Sequence, residues 1–192
     1  MVQGLASIVL GYFLTAALHS RIYPAPRPPV TVVPLSNGGP GKVHLRLKLA
    51  GTTPGTPEPI FTAGVSGHAM QFFIRVQPGA TATLGVDLWG YRLLESQPFA
   101  LSKLNEEMDV VLSLPMLLPP DTDPIWVGLT ERARQFWKNH IIIQQNGKCV
   151  IFSDSKYDMP VNSPIYYGLN PLGGSFVSNR YTGKILLVKK SP

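Results

Sequence analysis

The chain has 192 residues, 44% of them hydrophobic and only 15% charged, with 18 glycines and 19 prolines. That composition excludes a disordered chain and argues for a turn-rich, all-β fold with one sizeable core. The net charge of +6 is scattered, with Lys189-Lys190 the one adjacent basic pair, so no basic run interleaved with aromatics marks a nucleic-acid partner.

The segment from Val2 to Leu18 holds no charged side chain. Its length predicts a single transmembrane anchor helix over residues 1–22. A cleaved signal peptide is the alternative, but no Lys or Arg precedes Arg21 and the cleavage candidate after Ala17 is weak. Ser7, Gly11 and Thr15 recur at four-residue spacing, and Gly4 lies one turn earlier. Such small residues on one face let a neighbouring helix approach closely. Arg21 and Arg27 follow the helix, which by the positive-inside tendency places the remainder in the cytoplasm.

Residues 23–42 read as a Pro/Gly-rich stalk. Prolines 24, 26, 28 and 29 impose an extended polyproline course, and Tyr23 suits a membrane interface. A domain over residues 43–192 follows. Val43, Leu45, Leu47 and Leu49 alternate with His44, Arg46 and Lys48, the pattern of a half-buried strand. Further strands are expected over Ile60 to Ala63, Gln71 to Val76, Thr81 to Leu88 and Met108 to Leu114. Two β-rich runs flank Asn146-Gly147 between Ile141 and Phe152, the dipeptide of tight hairpins. Strands over Ile165 to Leu169 and Lys184 to Val188 complete an antiparallel sandwich or jelly roll.

One stretch breaks the β pattern. Asp123 can cap, Pro124 suits a first helical turn, and Trp126, Leu129, Ala133 and Phe136 or Trp137 fall at helical spacing. This predicts a helical insertion over about 123–139 whose apolar stripe packs on the sandwich. Read instead as an interfacial helix, it would turn Arg132, Arg134 and Lys138 towards headgroups or an acidic partner.

Catalytic constellations are not expected. The four histidines (His19, His44, His68, His140) have no metal-ligand spacing, and Cys149 has no partner thiol and reads as a packed structural cysteine. Glu107 and Asp109 sit two apart at a strand entrance where solvated charge is ordinary, so paired-carboxylate hydrolysis is not indicated. Leu172-Gly173-Gly174-Ser175 leads into a strand rather than a helix, so its glycines read as turn geometry, not a phosphate cradle.

The stretch SPIYYGLNPLGGSFVSNRYTGKILLV, Ser163 to Val188, resembles the end of laminin-G-like and concanavalin A-like sandwiches. Gly168, Asn170, Gly173 and Gly174 sit in the turn and loop, Tyr181, Gly183 and Ile185 in the returning strand, and Asn146-Gly147 matches the family's hairpin position. The resemblance implies an all-β concanavalin A-like jelly roll and a place outside the cytoplasm. It also implies a rim where Asp154 and Asp158 are the best calcium candidates, although no metal or cofactor is expected. Sugar contacts, if made, fall to Asp87, Trp89, Tyr91 and Asn170, with Tyr166 and Tyr167 as further aromatics near the concave face.

The resulting expectation is a non-catalytic, membrane-anchored accessory or scaffold subunit of a larger membrane complex, respiratory or photosynthetic for example. It would be single-pass in a bacterial inner membrane with a periplasmic sandwich, in contact with the bilayer and with other membrane subunits. Its contacts would be Gly4, Ser7, Gly11 and Thr15 for helix packing and Tyr23, Arg27, Trp126, Arg134 and Trp137 at the partner or membrane interface. The alternative is a lectin-like module of the cell envelope with a glycan partner.

Overall fold

A computed structural model of the protein describes residues 40–49, 54–101, 107–155 and 163–191. The anchor over 1–22 and the stalk up to residue 39 lie outside the described residues. Among the described residues no helix is long and apolar enough to cross a membrane.

Eleven strands build two antiparallel sheets among the described residues. They are β1 (Lys42–Lys48), β2 (Pro57–Val65), β3 (His68–Gln77), β4 (Thr81–Asp87), β5 (Leu93–Glu95), β6 (Phe99–Ala100), β7 (Glu107–Ser113), β8 (His140–Gln145), β9 (Lys148–Asp154), β10 (Ile165–Tyr167) and β11 (Lys184–Ser191). The first sheet runs β11-β1-β7-β8-β9 and the second β10-β2-β3-β4-β5, with β6 also paired to β4. The expected strands are all present. The two short ones, β5 and β6, carry no usable alternation, and β4's exposed backbone edge is what recruits them.

Strand alternation sorts the side chains. Val43, Leu45 and Leu47 of β1, Phe72, Ile74 and Val76 of β3 and Ala82, Leu84 and Val86 of β4 all join one core between the sheets. The opposite sides of β3 and β4 therefore present Gln71, Phe73 and Arg75 beside Thr83, Gly85 and Asp87 on the outer face of the second sheet. Three hairpins close with consecutive left-handed residues, Gly79-Ala80 (φ +87° and +57°) joining β3 to β4. Asn146-Gly147 (φ +47° and +79°) joins β8 to β9, and Trp89-Gly90 (φ +44° and +74°) joins β4 to β5.

The insertion between β7 and β8 differs from a single helix. Asp123 caps only a 3-10 turn, Pro124–Trp126, by accepting from the Ile125 amide. Gly128, at φ +85°, then turns the chain out of helical geometry. A second cap, Thr130, starts the helix α1 (Glu131–Lys138). Phe136 carries α1 onto the outer face of the first sheet, where its ring, His140 and Phe152 stack at 4.5 and 5.0 Å.

Candidate functional site

The outer face of the second sheet is not open. After β10 the chain forms a loop over residues 169–180, closed at its base by a bridge between Leu169 and Arg180. Inside it, the Asn170 side-chain amide donates to the Val177 carbonyl at 3.2 Å and the Asn170 backbone to that of Asn179 at 2.9 Å. This is a compact loop with joined ends, not a tail.

The loop crosses the sheet from strand to strand. Gly174 packs against the Trp89 indole beside β4, close enough that a side chain there would press on the ring. The Ser175 hydroxyl then donates to the Gln71 amide oxygen on β3. Phe176 meets Phe73 edge-to-face at 5.4 Å, with the Arg75 guanidinium 5.8 Å from each ring centre. Finally the Ser178 amide donates to the Pro57 carbonyl of β2 at 2.9 Å.

A cleft of about 270 Å³ is left where the loop tip meets the β4–β5 turn. It is lined by Asp87, Trp89, Gly90, Leu93, Gly174, Ser175 and Phe176. Asp87 is 3% exposed, and one of its carboxylate oxygens accepts from the Gly90 amide at 3.1 Å. That bond braces the turn which holds Trp89 half-buried at the rim. A left-handed backbone is costly for a tryptophan. The cleft thus combines an aromatic face, a carboxylate, a hydroxyl and a second ring, the elements with which a polyhydroxylated ring is gripped.

Two of the four candidate glycan contacts meet here, Asp87 and Trp89. Tyr91, one residue beyond the turn, is 71% exposed and does not line the cleft. Asn170 staples the loop from within and borders a shallower depression with Leu169, Pro171, Leu172, Gly173 and Asn179. Tyr167 points inward, edge-on to Phe61 at 5.7 Å, and burial pushes its hydroxyl up. Tyr166 faces outward opposite Thr62.

Gly4, Ser7, Gly11, Thr15, Tyr23 and Arg27 lie outside the described residues, as does Asp158. The described interface candidates are drawn into the fold. Trp126 is 2% exposed, its indole N–H donating to the Pro120 carbonyl at 2.9 Å. Arg134 donates to the carbonyls of Trp126 and Leu129. Trp137 keeps one side towards solvent and receives the Lys42 ammonium at 5.6 Å. Asp154 pairs with His140 at 3.3 Å. Burial pushes the Cys149 thiol up, away from the reactive thiolate.

Sequence reasoning missed Ser175, Phe176, Gln71 and Thr62. A usable signal existed for Gln71 and Phe73, which alternate out of phase with Phe72 and Ile74. None existed for the loop, whose contact with Gln71 spans 104 residues.

No protein-family model matches the chain, and no curated protein matches it. Among solved structures the chain is similar to a Ruminococcus gnavus IT-sialidase CBM40, at 12% identity and a TM-score of 0.47, over 77% of this chain and 73% of that one. It is likewise similar to the Ruminococcus gnavus IT-sialidase CBM40 bound to alpha2,6 sialyllactose, at 10% identity and a TM-score of 0.45, over 74% and 71%. The assignment of a β-sandwich rests on the strand order and register given above.

Proposed function

We propose that the protein is a non-catalytic carbohydrate-binding module that seats a sugar ring in the cleft between Asp87, Trp89 and the 169–180 loop. One observation carries this: a tryptophan held in a left-handed turn at the rim of a cleft, with a buried carboxylate beneath it. Backbone strain at a surface aromatic persists where the ring's position matters more than local comfort. The indole face takes the C–H face of a pyranose, and Asp87 accepts from its hydroxyls.

Among the described residues, Asp87 is the one carboxylate lining the cleft. Glycoside hydrolysis by the usual route needs two, which favours binding over cleavage. The accessory-subunit reading drew on residues 1–27 and on Trp126, Arg134 and Trp137. The first lie outside the described residues, Trp126 and Arg134 are committed to internal hydrogen bonds, and Trp137 is half-buried beside Lys42.

The test is a glycan array probed with the full chain and with Trp89→Gly. Glycine adopts the left-handed turn without penalty, so this variant removes the ring while keeping the hairpin. The expected result is loss of glycan retention at an unchanged melting temperature. Retention by the variant equal to that of the parent, or no retained glycan at all, overturns the proposal.

A further inference from the structure

The cleft continues beneath the loop. Strand register sets Tyr166, Thr62, Gln71, Asp87 and Leu93 directly opposite one another, one from each strand of the second sheet from β10 to β5. Three central members of this row, Thr62, Gln71 and Asp87, are polar and face outward. Asp87 opens into the cleft. Gln71 and Thr62 are each 0% exposed, and the loop's Ser175 sits on Gln71.

Both are incompletely satisfied. The Thr62 hydroxyl and the Gln71 amide nitrogen are buried without a hydrogen-bond partner. Buried polar groups are almost always paired, and an unpaired one is costly to keep. Exchanging the two ends of the Gln71 amide would leave its oxygen unpaired instead, so one end stays unmet either way. A hydrophobic strand interior would have satisfied the fold more simply at both positions.

The obstruction is small and shares the site. Ser175 lines the open cleft and also holds the Gln71 amide, so its hydroxyl occupies the point where cleft and row meet. The tip that carries it includes Gly173 and Gly174, both at positive φ. Phe176, which packs on Phe73, is still 47% exposed, whereas Val177 after it is buried and tied to Asn170 at the base. The base of the loop is held separately, at Leu169–Arg180 and Asn170–Asn179. The tip can therefore lift while the base stays closed.

Resting on the cleft reading above, we propose that Gln71 and Thr62 form a second sugar subsite, covered by the loop tip in the free protein. A bound saccharide of two or more rings displaces Ser175, places the hydroxyls of its second ring on Gln71 and Thr62, and leaves the first ring on Trp89 and Asp87. Two strand spacings, about 10 Å, separate Asp87 from Thr62, which suits two linked pyranose rings.

The experiment is calorimetric titration of the full chain with galactose against lactose and glucose against cellobiose. The variants are Thr62→Val, Gln71→Met and Trp89→Gly. Thr62→Val replaces an unpartnered hydroxyl by a methyl of the same shape, so it is expected to fold with an equal or higher melting temperature. In the parent, at least one disaccharide binds about tenfold or more tighter than its monosaccharide. Thr62→Val and Gln71→Met remove most of that advantage and leave the monosaccharide affinity within about twofold. Amide exchange across residues 173–176 rises when the disaccharide binds and stays unchanged with the monosaccharide.

Disaccharides no tighter than monosaccharides, or an advantage that survives both variants, overturn the second subsite while the Trp89 cleft stands. If no sugar of the four binds, or if Trp89→Gly binds the monosaccharide like the parent, the cleft reading falls and this one with it.

Discussion

The ring of Phe73 lies over Gly85, its direct partner across β3 and β4. A Cβ at position 85 would overlap the outer edge of the ring, at Cζ and the two Cε atoms, so glycine here is a requirement of packing rather than of backbone conformation. The arrangement lets Phe73 lie along the outer face and receive Phe176 from the loop. Gly85→Ala is expected to lower stability by about 1–3 kcal/mol, the usual range for overpacking. Phe73→Leu in the same chain should recover part of that loss. A denaturant-unfolding double-mutant cycle measures the coupling, and strictly additive effects would contradict the contact.

Trp126 ties the insertion together. Its ring is buried, its indole N–H reaches Pro120, and the Lys138 ammonium lies 5.7 Å from its ring centre. Trp126→Phe keeps most of the apolar surface and loses the donor, at an expected cost of about 1 kcal/mol. Trp126→Ala leaves a cavity and should cost about 3–5 kcal/mol. Thermal melts separate the two, and an alanine variant as stable as the parent would mean that the ring is not packed.

Asp109 joins β1 to β7 on the solvent side of the first sheet. Its carboxylate accepts from Arg46 Nε at 3.0 Å and lies 3.0 Å from His44 Nε2, with Glu107 at 3.9 Å from the same Arg46 nitrogen. The Arg46 hydrogen bond, aided by His44, holds the carboxyl below its ordinary value near 3.8. At acid pH the unfolded chain therefore binds its proton before the native one does. The stabilising increment is whole above the ordinary value and disappears as pH falls through the lowered native one. Because the pair is solvent-screened, the increment is small. Melting temperatures of the parent and Asp109→Asn, compared from pH 7 down to pH 2.5, should differ most at neutral pH and converge in acid. A gap independent of pH would assign the effect to something other than this carboxylate.

Much of the sandwich is legible in the order of residues alone. In β1, Val43, Leu45 and Leu47 go inward and His44 and Arg46 outward, because a strand turns successive side chains to opposite faces. Asn146-Gly147 forms its hairpin because both residues tolerate the left-handed conformation that the strand twist demands. The insertion is half legible. The Asp123 cap is real, but it starts only a 3-10 turn and Thr130 caps the helix that follows; Gly128 breaks the run between them, since a glycine at positive φ leaves the helical path that its neighbours' spacing suggests.

The candidate site divides in the same way. Asp87 and Trp89 are identifiable because they lie within one strand and its turn, where local pattern and geometry coincide. Asn170 reads as a sugar contact from its place after a glycine turn, yet its side-chain nitrogen donates to Val177 within its own loop. Amide side chains in loops pair with nearby backbone as readily as with a ligand.

The sequence by itself determined which residues form the longer strands, which face of each turns to the core, and where the Asn146-Gly147 hairpin closes. These follow from the period of two and from single-residue conformational preferences. Only the tertiary structure decided that residues 169–180 return across the outer face of the second sheet. There Ser175 meets Gln71, Phe176 meets Phe73, and a cleft remains beside Trp89. Those contacts join parts of the chain about a hundred residues apart. They depend on shape and hydrogen-bond matching in space, which no periodicity along the chain records.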